Sequence, residues 1–358
     1  MATEATSTSS ASASTATVGE PLSTSAVQDL WSCEQRFVYS QVQRISPKMP
    51  SVPMRLGQWV HLLIAAYYQS RSDPTKGTWL EAHQYLTEKY NALDEGLKER
   101  HGDVSERAYR LMEAYLHHYL VLGADEGWED FEVVAVEQSY SALLRGKVPV
   151  SATVDLLGRD RNGILFIMET KTGRTFPYST DMLMIEPQMT AQIEGARSMG
   201  YDVRYGIYNY IRSEPPSVPK FNKDGSIKKV FGKLPSTDYS TFMSALIEEG
   251  KDPKNYSDFL EELKNTERNK YFRRVQVGRS EKVARVTWES IAASYPRAQE
   301  LRMAPDLAAR HLGYRCGFCP YRTLCHAEIM GYNAEYVRQT EYESRQDDRD
   351  WLRGEENE

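Results

Sequence analysis

Three short β-forming segments between residues 131 and 172 restrict the folds open to this 358-residue chain. They cover residues 131–139, 150–157 and 164–172, and Gly146 and residues 159–163 separate them as turns. Short connections of this kind join strands that run antiparallel to each other. We therefore expect three consecutive antiparallel strands at the centre of the fold.

Helical patterns precede these strands, and further elements follow them. Residues 55–70 and 109–121 have helical composition with little Gly or Pro. A fourth strand is expected at residues 203–211, a late strand at 272–277 and a long helix at 283–302. This order predicts an α/β core with a helical lead-in at its N-terminal side.

One more helix is expected between the third and fourth strands, at residues 181–198. Thr180 or Ser179 is a plausible N-cap for it. Pro187 either kinks this helix or marks its true first turn, because proline is accepted at the first helical position and disrupts later ones.

Composition divides the chain into four parts. Residues 1–20 are almost entirely Ser, Thr and Ala, and we expect a disordered leader. The main domain is expected at residues 21–340, with an insertion at 214–270 that has several lysines and a hairpin turn at Asp224–Gly225. Residues 341–358 hold eight acids and three bases, which predicts an acidic tail.

Charge and hydropathy exclude some functions. The net charge is −6, and the tail contributes −5, so the remaining chain is close to neutral and a local basic surface is still compatible with binding DNA. The longest apolar runs, such as residues 164–168, are far too short to cross a membrane. With no secretory signal pattern, we expect a soluble protein of the cytoplasm in a bacterial, archaeal or phage-infected cell.

Acidic and basic side chains interrupt the second and third strands. Glu169 and Lys171 share one strand face because side chains alternate with period two. Asp155 lies on the preceding strand, so a hairpin would bring both carboxylates together as a site for Mg²⁺ or Mn²⁺. The alternative is a solvated ion pair at a strand end. Because the same strand is strongly apolar, and buried charges are costly unless they are paired or bound to metal, we favour the metal site.

The four cysteines form a second constellation. Cys316, Cys319 and Cys325 have the spacing C-x2-C-x5-C, and Cys33 is the fourth. In a cytoplasmic chain such clustering favours metal over disulfides. The spacing leaves open a [4Fe–4S] cluster, a zinc site or unrelated structural cysteines.

Both constellations resemble those of known nucleases. Asp155, Glu169 and Lys171 fit the three active-site positions of the PD-(D/E)XK nuclease superfamily. The distant Cys33 with the C-terminal cysteines resembles the iron–sulfur RecB-like nucleases, which include the CRISPR-associated RecB-like exonucleases and AddB-type nuclease domains. The resemblance covers roughly residues 23–330. It implies a restriction-endonuclease-like mixed central sheet flanked by helices, with a C-terminal segment that binds a [4Fe–4S] cluster and joins the two ends of the domain.

The resemblance also assigns supporting residues around the metal site. His61, in Gly-Gln-Trp-Val-His, matches a family position in or beside the metal site, and Thr170 would add its carbonyl oxygen as a ligand. Gln188 matches a glutamine near the active site. Gln192 stands where the family carries a tyrosine near the DNA backbone, and we expect Gln192 to contact DNA. Glu137 resembles an acidic residue on the strand before the aspartate.

Contacts to DNA are expected from several basic side chains. Arg36 lies in Cys-Glu-Gln-Arg-Phe, which resembles the family's opening motif. Arg273, Arg274 and Arg279 resemble a late segment that faces DNA, where cations beside aromatics can hold a single strand. The lysines between residues 220 and 229 are a further possibility, although charges in loops are usually only solvated.

Together these features imply a metal-dependent DNA exonuclease that prefers single-stranded ends, with 5′→3′ polarity implied by the resemblance alone. No GxxxxGK[ST] motif is present, so we expect no helicase motor within the chain. A helicase, recombination or integration protein is a possible partner. The alternative is a non-catalytic module, stabilised by a cluster or zinc, that binds DNA or protein.

Overall fold

The computed structural model describes residues 20–93, 95–122, 127–144, 148–177, 179–266, 270–345 and 350–353. The leader expected at residues 1–20 lies outside these ranges except for its last residue, and the turn expected at Gly146 also lies outside them. Parts of the insertion and of the acidic tail, at residues 267–269, 346–349 and 354–358, are likewise outside.

Eight strands occur in the part of the chain that the structure describes. They are β1 (Leu22–Ser23), β2 (Ile45–Pro47), β3 (Phe131–Leu144), β4 (Val148–Asp160), β5 (Leu165–Gly173), β6 (Val203–Arg212), β7 (Phe272–Val277) and β8 (Tyr342–Ser344).

The α-helices are α1 (Thr24–Ser32), α2 (Glu34–Phe37), α3 (Val52–Ser72), α4 (Trp79–Asn91), α5 (Glu95–His101), α6 (Val104–Leu116), α7 (Asp181–Ile185), α8 (Pro187–Ser198), α9 (Tyr239–Glu248), α10 (Ser257–Thr266), α11 (Glu281–Met303), α12 (Arg322–Met330), α13 (Ala334–Glu341) and α14 (Asp350–Arg353). Wider π-helical turns extend α2 over Val38–Val42 and α6 over His117–Leu122.

The central sheet is mixed, as expected. Its order is β1-β4-β5-β6-β7, and β3 pairs with the other edge of β4. Strands β3 and β5 are each antiparallel to β4, whereas β1 runs parallel to β4. Strand β6 runs parallel to β5, and β7 is antiparallel to β6. The α/β class and the three antiparallel strands predicted from the sequence are therefore confirmed.

Helices cover both faces of this sheet because its central strands are apolar on both sides. On β5, Phe166 and Met168 pack in the core beneath α3, α4 and α6, whereas Leu165 and Ile167 pack in the core beneath α7 and α8. Residues 165–170 of this strand are all buried. The polar side chains in this part of β5 are therefore buried in the protein interior.

Pro187 divides the helix that was expected as one unit at residues 181–198. The first piece, α7, ends at Ile185, and Glu186 is extended with φ −63° and ψ 127°. Pro187 then occupies the first helical position of α8, where its missing N–H costs nothing. Of the two roles considered for Pro187, the one observed is that it begins a helix.

The N- and C-terminal segments meet beside the main domain. Strand β2 pairs antiparallel with β8, and Tyr39 packs with Tyr321, Leu324 and Tyr342. Leu352 of α14 is buried in the core formed with α3 and α4. Residues 342–344 and 350–353, which fall in the expected acidic tail, are thus part of the packed structure.

The insertion has a small core of its own, in which Phe242 and Leu246 of α9 pack against Leu260 and Leu263 of α10. Among the described residues, no helix is long and apolar enough to cross a membrane.

Candidate active site

The site lies where β4 and β5 separate. Their ladder ends at the pair Leu156–Met168, so the next facing positions would be Asp155 and Glu169. Beyond this point β4 takes a different neighbour, since Val150 and Ser151 pair with the short strand β1. The opening between the two strands, which we call the carboxylate fork, is therefore produced by the sheet topology.

Asp155, on β4, is held in place by a hydrogen bond from the opposite strand, β5. Its Oδ2 accepts a hydrogen bond of 2.8 Å from the backbone N–H of Thr170 on β5. The Nδ1 of His61, on the middle of α3, lies 3.5 Å from the same oxygen. The expected proximity of His61, Asp155 and Thr170 is thus present.

A small cavity of about 10 Å³ borders these residues. His61, Glu137, Asp155 and Thr170 supply its polar lining. Glu137 has a left-handed backbone with φ 50°, which is uncommon for a residue with a side chain and is often found at functional sites. The space is that of about one water molecule or one cation.

Glu169 is only 2% exposed, and donors surround its carboxylate. Oε1 accepts from Lys171 Nζ and from Gln188 Nε2, each at 2.7 Å. Oε2 accepts from Gln192 Nε2 at 2.6 Å, and the same amide group donates to the carbonyl of Thr153 at 2.8 Å. Lys171 in turn donates to Gln188 Oε1 at 2.7 Å. These contacts fix the orientation of the Glu169 carboxylate.

The two glutamines reach Glu169 because they are four residues apart on α8 and so share one helix face. Glu169 and Lys171 lie on the sheet face that α8 covers, as the period of two requires. Gln192 is fully buried, so it does not make the surface contact to DNA that was expected for it. It contacts the carboxylate instead.

The electrostatics of the fork reflect its burial. Loss of hydration and the nearby Asp155 charge raise the pKa of Glu169, although Lys171 and Gln192 oppose this shift. Burial lowers the pKa of Lys171, but the carboxylates of Glu169 and Asp155 outweigh it and raise that pKa overall. Lys171 therefore stays protonated, and two carboxylates repel each other across a poorly hydrated opening.

This donor set fits a hard divalent cation. Mg²⁺ and Mn²⁺ prefer carboxylate and carbonyl oxygens, and a cation would relieve the repulsion between Asp155 and Glu169. Within the described residues, Gln192 Oε1 is buried beside Glu169 with no hydrogen-bond partner. Among these described residues, however, no three His, Cys, Asp or Glu side chains are grouped so that they could hold a metal ion.

Sequence reasoning missed Glu186. This residue caps the N-terminus of α8 by accepting from the backbone of Met189, and its carboxylate also accepts from Tyr208 at 2.8 Å. Its charge contributes to the raised pKa of Lys171. An acidic residue directly before a proline at a helix start was the available signal.

The four cysteines come together at the junction of the terminal segments. All four border one cavity of about 360 Å³, which we call the cysteine cavity. Each is a free thiol. Burial raises the pKa of the Cys319 and Cys325 thiols, and the neighbouring Cys33 adds to both shifts. A common cavity and the absence of disulfides among these four cysteines fit a thiolate-bound metal group, although the sulfurs do not stand as a metal-holding group either.

Ion pairs around this cavity hold the two ends of the chain together. Arg297 of α11 pairs with Glu34 at 2.6 Å, and Glu34 also accepts from the Ala309 backbone. Tyr39 donates to Glu328 at 2.6 Å, and Arg310 pairs with the same carboxylate.

The residues expected to contact DNA are not equivalent. Arg274 has a side chain that is only 1% exposed and pairs with the carboxylate of Glu129, so the expected DNA contact is replaced by a structural role. Its guanidinium also contacts Tyr68 and Tyr115. Arg274 lies on the edge strand β7, as the sequence predicted. Its side chain points into the protein, toward α3 and α6, and not toward solvent.

Of the other arginines, Arg279 is half-buried and donates to Thr190 and to the carbonyl of Leu183 beside α8. Arg36 pairs with Asp29 at 2.6 Å and borders the cysteine cavity. Arg273 precedes the buried Arg274 on β7, so its side chain points to the opposite face of the sheet, and it is partly exposed.

A comparison with known protein families identifies the superfamily of this chain. The sequence profile of the PD-(D/E)XK nuclease superfamily matches residues 21–326. The chain therefore belongs to this nuclease superfamily, and its mixed sheet with flanking helices is consistent with the restriction-endonuclease-like fold. Among curated proteins, none matches the sequence significantly.

Two solved structures match this chain at low identity and with low TM-scores. One is a protein from Eubacterium rectale that is named as a predicted exonuclease, with 11% identity and a TM-score of 0.40 over 84% of this chain and 88% of that chain. The other is SSO0001, with 13% identity and a TM-score of 0.26 over 75% and 84%. At these TM-scores neither structure identifies a subfamily or a substrate for this chain.

Proposed function

We propose that this protein is a divalent-metal-dependent DNA exonuclease that acts on single-stranded ends. The observation that carries the proposal is the carboxylate fork, the opening at which β4 and β5 separate directly before Asp155 and Glu169, with Lys171 paired to Glu169. Superfamily membership supports hydrolysis of phosphodiester bonds. The preference for single strands and the 5′→3′ polarity follow from the resemblance to RecB-like exonucleases.

His61, Asp155 and Glu169, with the carbonyl of Thr170, would hold one or two Mg²⁺ or Mn²⁺ ions. A bound ion of this kind acts as a Lewis acid and lowers the pKa of a coordinated water. The hydrogen bonds that Gln188 and Gln192 donate to Glu169 fix the orientation of its carboxylate.

Lys171 is the candidate for orienting the attacking water. It lies two residues along β5 from Glu169, and its ammonium group is held by Glu169 and Gln188. A protonated lysine in this position can donate to a water and offset the negative charge that develops on the phosphate. In this proposed role Lys171 positions the nucleophile and does not act as the base.

The cysteine cavity is the proposed site of a structural [4Fe–4S] cluster held by Cys33, Cys316, Cys319 and Cys325. Four free thiols on one cavity support this assignment over unrelated structural cysteines. Zinc is the competing occupant. An anaerobic preparation that absorbs near ~410 nm and contains about four iron atoms per chain would support the cluster. A colourless protein with stoichiometric zinc would contradict it.

The protein would act in the cytoplasm, either alone or with a helicase, recombination or integration protein. Repair, recombination and spacer processing are the pathways in which the resembling nucleases act. A chain of this kind would receive its DNA end from such a partner, or find it by diffusion.

The proposal is tested by digestion of end-labelled DNA with anaerobically purified protein and Mn²⁺. We expect mononucleotides or short products from single strands. Substrates labelled at the 5′ or the 3′ end report polarity, because the label at the end where digestion begins is released first. Glu169→Gln should abolish cleavage while the protein remains folded by circular dichroism. The matched control is Glu132→Gln, an exposed strand residue paired with Arg159, which should cleave normally. Equal cleavage by both variants would contradict the proposed site.

A further inference from the structure

The insertion carries a hairpin whose tip is an exposed aromatic residue. Val230 and Lys233 exchange backbone hydrogen bonds of 2.8 and 3.1 Å, so the loop between them has two residues, Phe231 and Gly232. Their φ angles are 49° and 76°. Positive φ at both central positions defines a type I′ turn. We call residues 228–233 the Phe231 hairpin.

Phe231 is an unfavourable residue for this turn position. Asn, Asp or Gly is usual there, because a bulky side chain is strained in the left-handed region. The side chain is also 100% exposed, so it gains nothing from the protein's own core. Contact with a binding partner explains why a strained and fully exposed aromatic residue occupies this position.

The surroundings of this aromatic residue are strongly basic. Between residues 220 and 233 there are five lysines and one aspartate, a net charge of +4 in a chain whose total is −6. Lys228, Lys229 and Lys233 are exposed, and none forms an ion pair with another residue that the structure describes. Their charges are therefore available to an anionic partner.

The insertion leaves the sheet at the edge where the carboxylate fork lies. Strand β6 is parallel to β5, with Tyr210 paired to Lys171, and the chain enters the insertion directly after β6 ends. The backbone of Ser213 bonds to Gly173 at the end of β5, and Arg107 of α6 holds the Ser213 carbonyl. The insertion is thus anchored at the end of the strand that carries Glu169 and Lys171.

We propose that the Phe231 hairpin binds single-stranded DNA beside the active site, with Phe231 stacked on a base and its lysines on neighbouring phosphates. This combination of an aromatic face with cations is the one that recognises single strands without sequence preference. The anchoring of the insertion at the edge that carries the fork favours DNA over a membrane surface as the partner. The inference rests on the proposed DNA substrate and adds a second contact to it.

The test is binding of a fluorescein-labelled oligothymidylate of about 30 nucleotides, with Ca²⁺ in place of Mn²⁺ to prevent cleavage. Phe231→Asn should raise the Kd roughly 5- to 140-fold, the equivalent of ~1–3 kcal/mol of base stacking at ~1.4 kcal/mol per tenfold. Phe231→Trp should restore binding. Asn suits the turn better than Phe, so the thermal midpoint of Phe231→Asn should be unchanged or higher, which separates lost contact from lost folding.

A second measurement examines the lysines. Replacing Lys228, Lys229 and Lys233 together with Gln should reduce the slope of log Kd against log salt by about 2, since each phosphate contact contributes about 0.7 for single strands. Lys254→Gln, at an exposed lysine elsewhere in the insertion, is the matched control and should leave the slope nearly unchanged.

Wild-type affinity and salt dependence in both variants would overturn the inference. Phe231-dependent binding to phosphatidylserine vesicles, with no effect on DNA, would also overturn it and identify a membrane contact. If the wild type cleaves DNA and Phe231→Asn binds normally, only the hairpin inference fails. If Phe231→Asn weakens DNA binding but the wild type cleaves nothing, the hairpin stands and the proposed nuclease activity fails.

Discussion

The carboxylate fork and the cysteine cavity are built in opposite ways. The fork uses residues from two adjacent strands and the helix that follows them, between Asp155 and Gln192. Hydrogen bonds from Lys171, Gln188 and Gln192 already fix the carboxylate of Glu169. The cysteine cavity joins Cys33 to a segment that begins at Cys316, 283 residues later. Its four thiols are not joined to one another by disulfides.

The difference indicates what a bound metal would do in each place. At the fork the sheet topology determines the positions of the two carboxylates, and hydrogen bonds orient Glu169, so a metal there would mainly add chemistry. At the cavity the thiols are brought together by contacts between distant segments, and closing so long a loop costs conformational entropy. A metal group there would mainly add stability, because it would link the two ends of the domain.

Among substitutions outside the proposed metal ligands, the largest effect is expected for Lys171→Met. The variant keeps the length of the side chain but removes the ammonium group, so cleavage should fall by about 10²–10³-fold, which is typical of losing one preorganised donor. Mn²⁺ affinity should change much less, because Lys171 is not a proposed ligand. The measurement is a cleavage time course together with calorimetric titration of Mn²⁺. Loss of folding by circular dichroism would assign Lys171 a structural role instead.

Replacement of one cysteine should affect stability more than chemistry. Cys319→Ser should lose the absorbance near ~410 nm and lower the free energy of unfolding by at least about 2 kcal/mol. Residual cleavage should remain dependent on Mn²⁺. Chemical denaturation of anaerobic samples gives the comparison, with Ser32→Ala, which also borders the cavity, as the control. A Cys319→Ser protein of wild-type stability would remove the distinction between the two sites.

Gln192→Leu tests whether the fork is fixed by its neighbours. The change is close in volume but leaves Glu169 Oε2 without its donor, so Mn²⁺ affinity should fall by about 10- to 100-fold, as for other residues that orient metal ligands. Titration of Mn²⁺ measures the effect. The control is Gln84→Leu, an exposed glutamine on α4. An unchanged affinity would show that Glu169 keeps its orientation without the glutamine.

The smallest effect is expected from the ion pair between Glu34 and Arg297 beside the cysteine cavity. The hydrogen bond from Arg297 holds the pKa of Glu34 below its ordinary value of 4.5. A lowered folded-state pKa means that the pair stabilises the protein fully at neutral pH and loses this effect as pH falls through that pKa. Glu34→Gln should therefore lower the thermal midpoint at pH 7, and the difference should narrow below about pH 4.5. A pH-independent difference would point to packing instead.

Much of the fold followed from the sequence because its signals were local. Alternating β-formers marked β3, β4 and β5, and the Glu169–Lys171 spacing placed both side chains on one face. The gap between Asp155 and Glu169 was harder to foresee. It depends on β1, a two-residue strand that pairs with β4 beyond the end of β5, and so short a strand has no recognisable pattern.

Side-chain direction was the main source of error. Arg274 and Gln192 both carry polar groups that suit a DNA surface, yet both are buried by elements distant in sequence. A polar residue can be buried only when a hydrogen-bond or ion-pair partner is available in the interior. The partners here, Glu129 and Glu169, belong to other strands or loops. Local patterns do not contain that information.

The central claim is that Asp155 and Glu169 hold a divalent cation, and Mn²⁺ binding followed by electron paramagnetic resonance tests it most directly. We expect the wild-type protein to remove free Mn²⁺ signal stoichiometrically, and Asp155→Asn, which is nearly isosteric, to lose most of that binding while remaining folded. Equal binding of Mn²⁺ by the wild type and by Asp155→Asn would contradict the account.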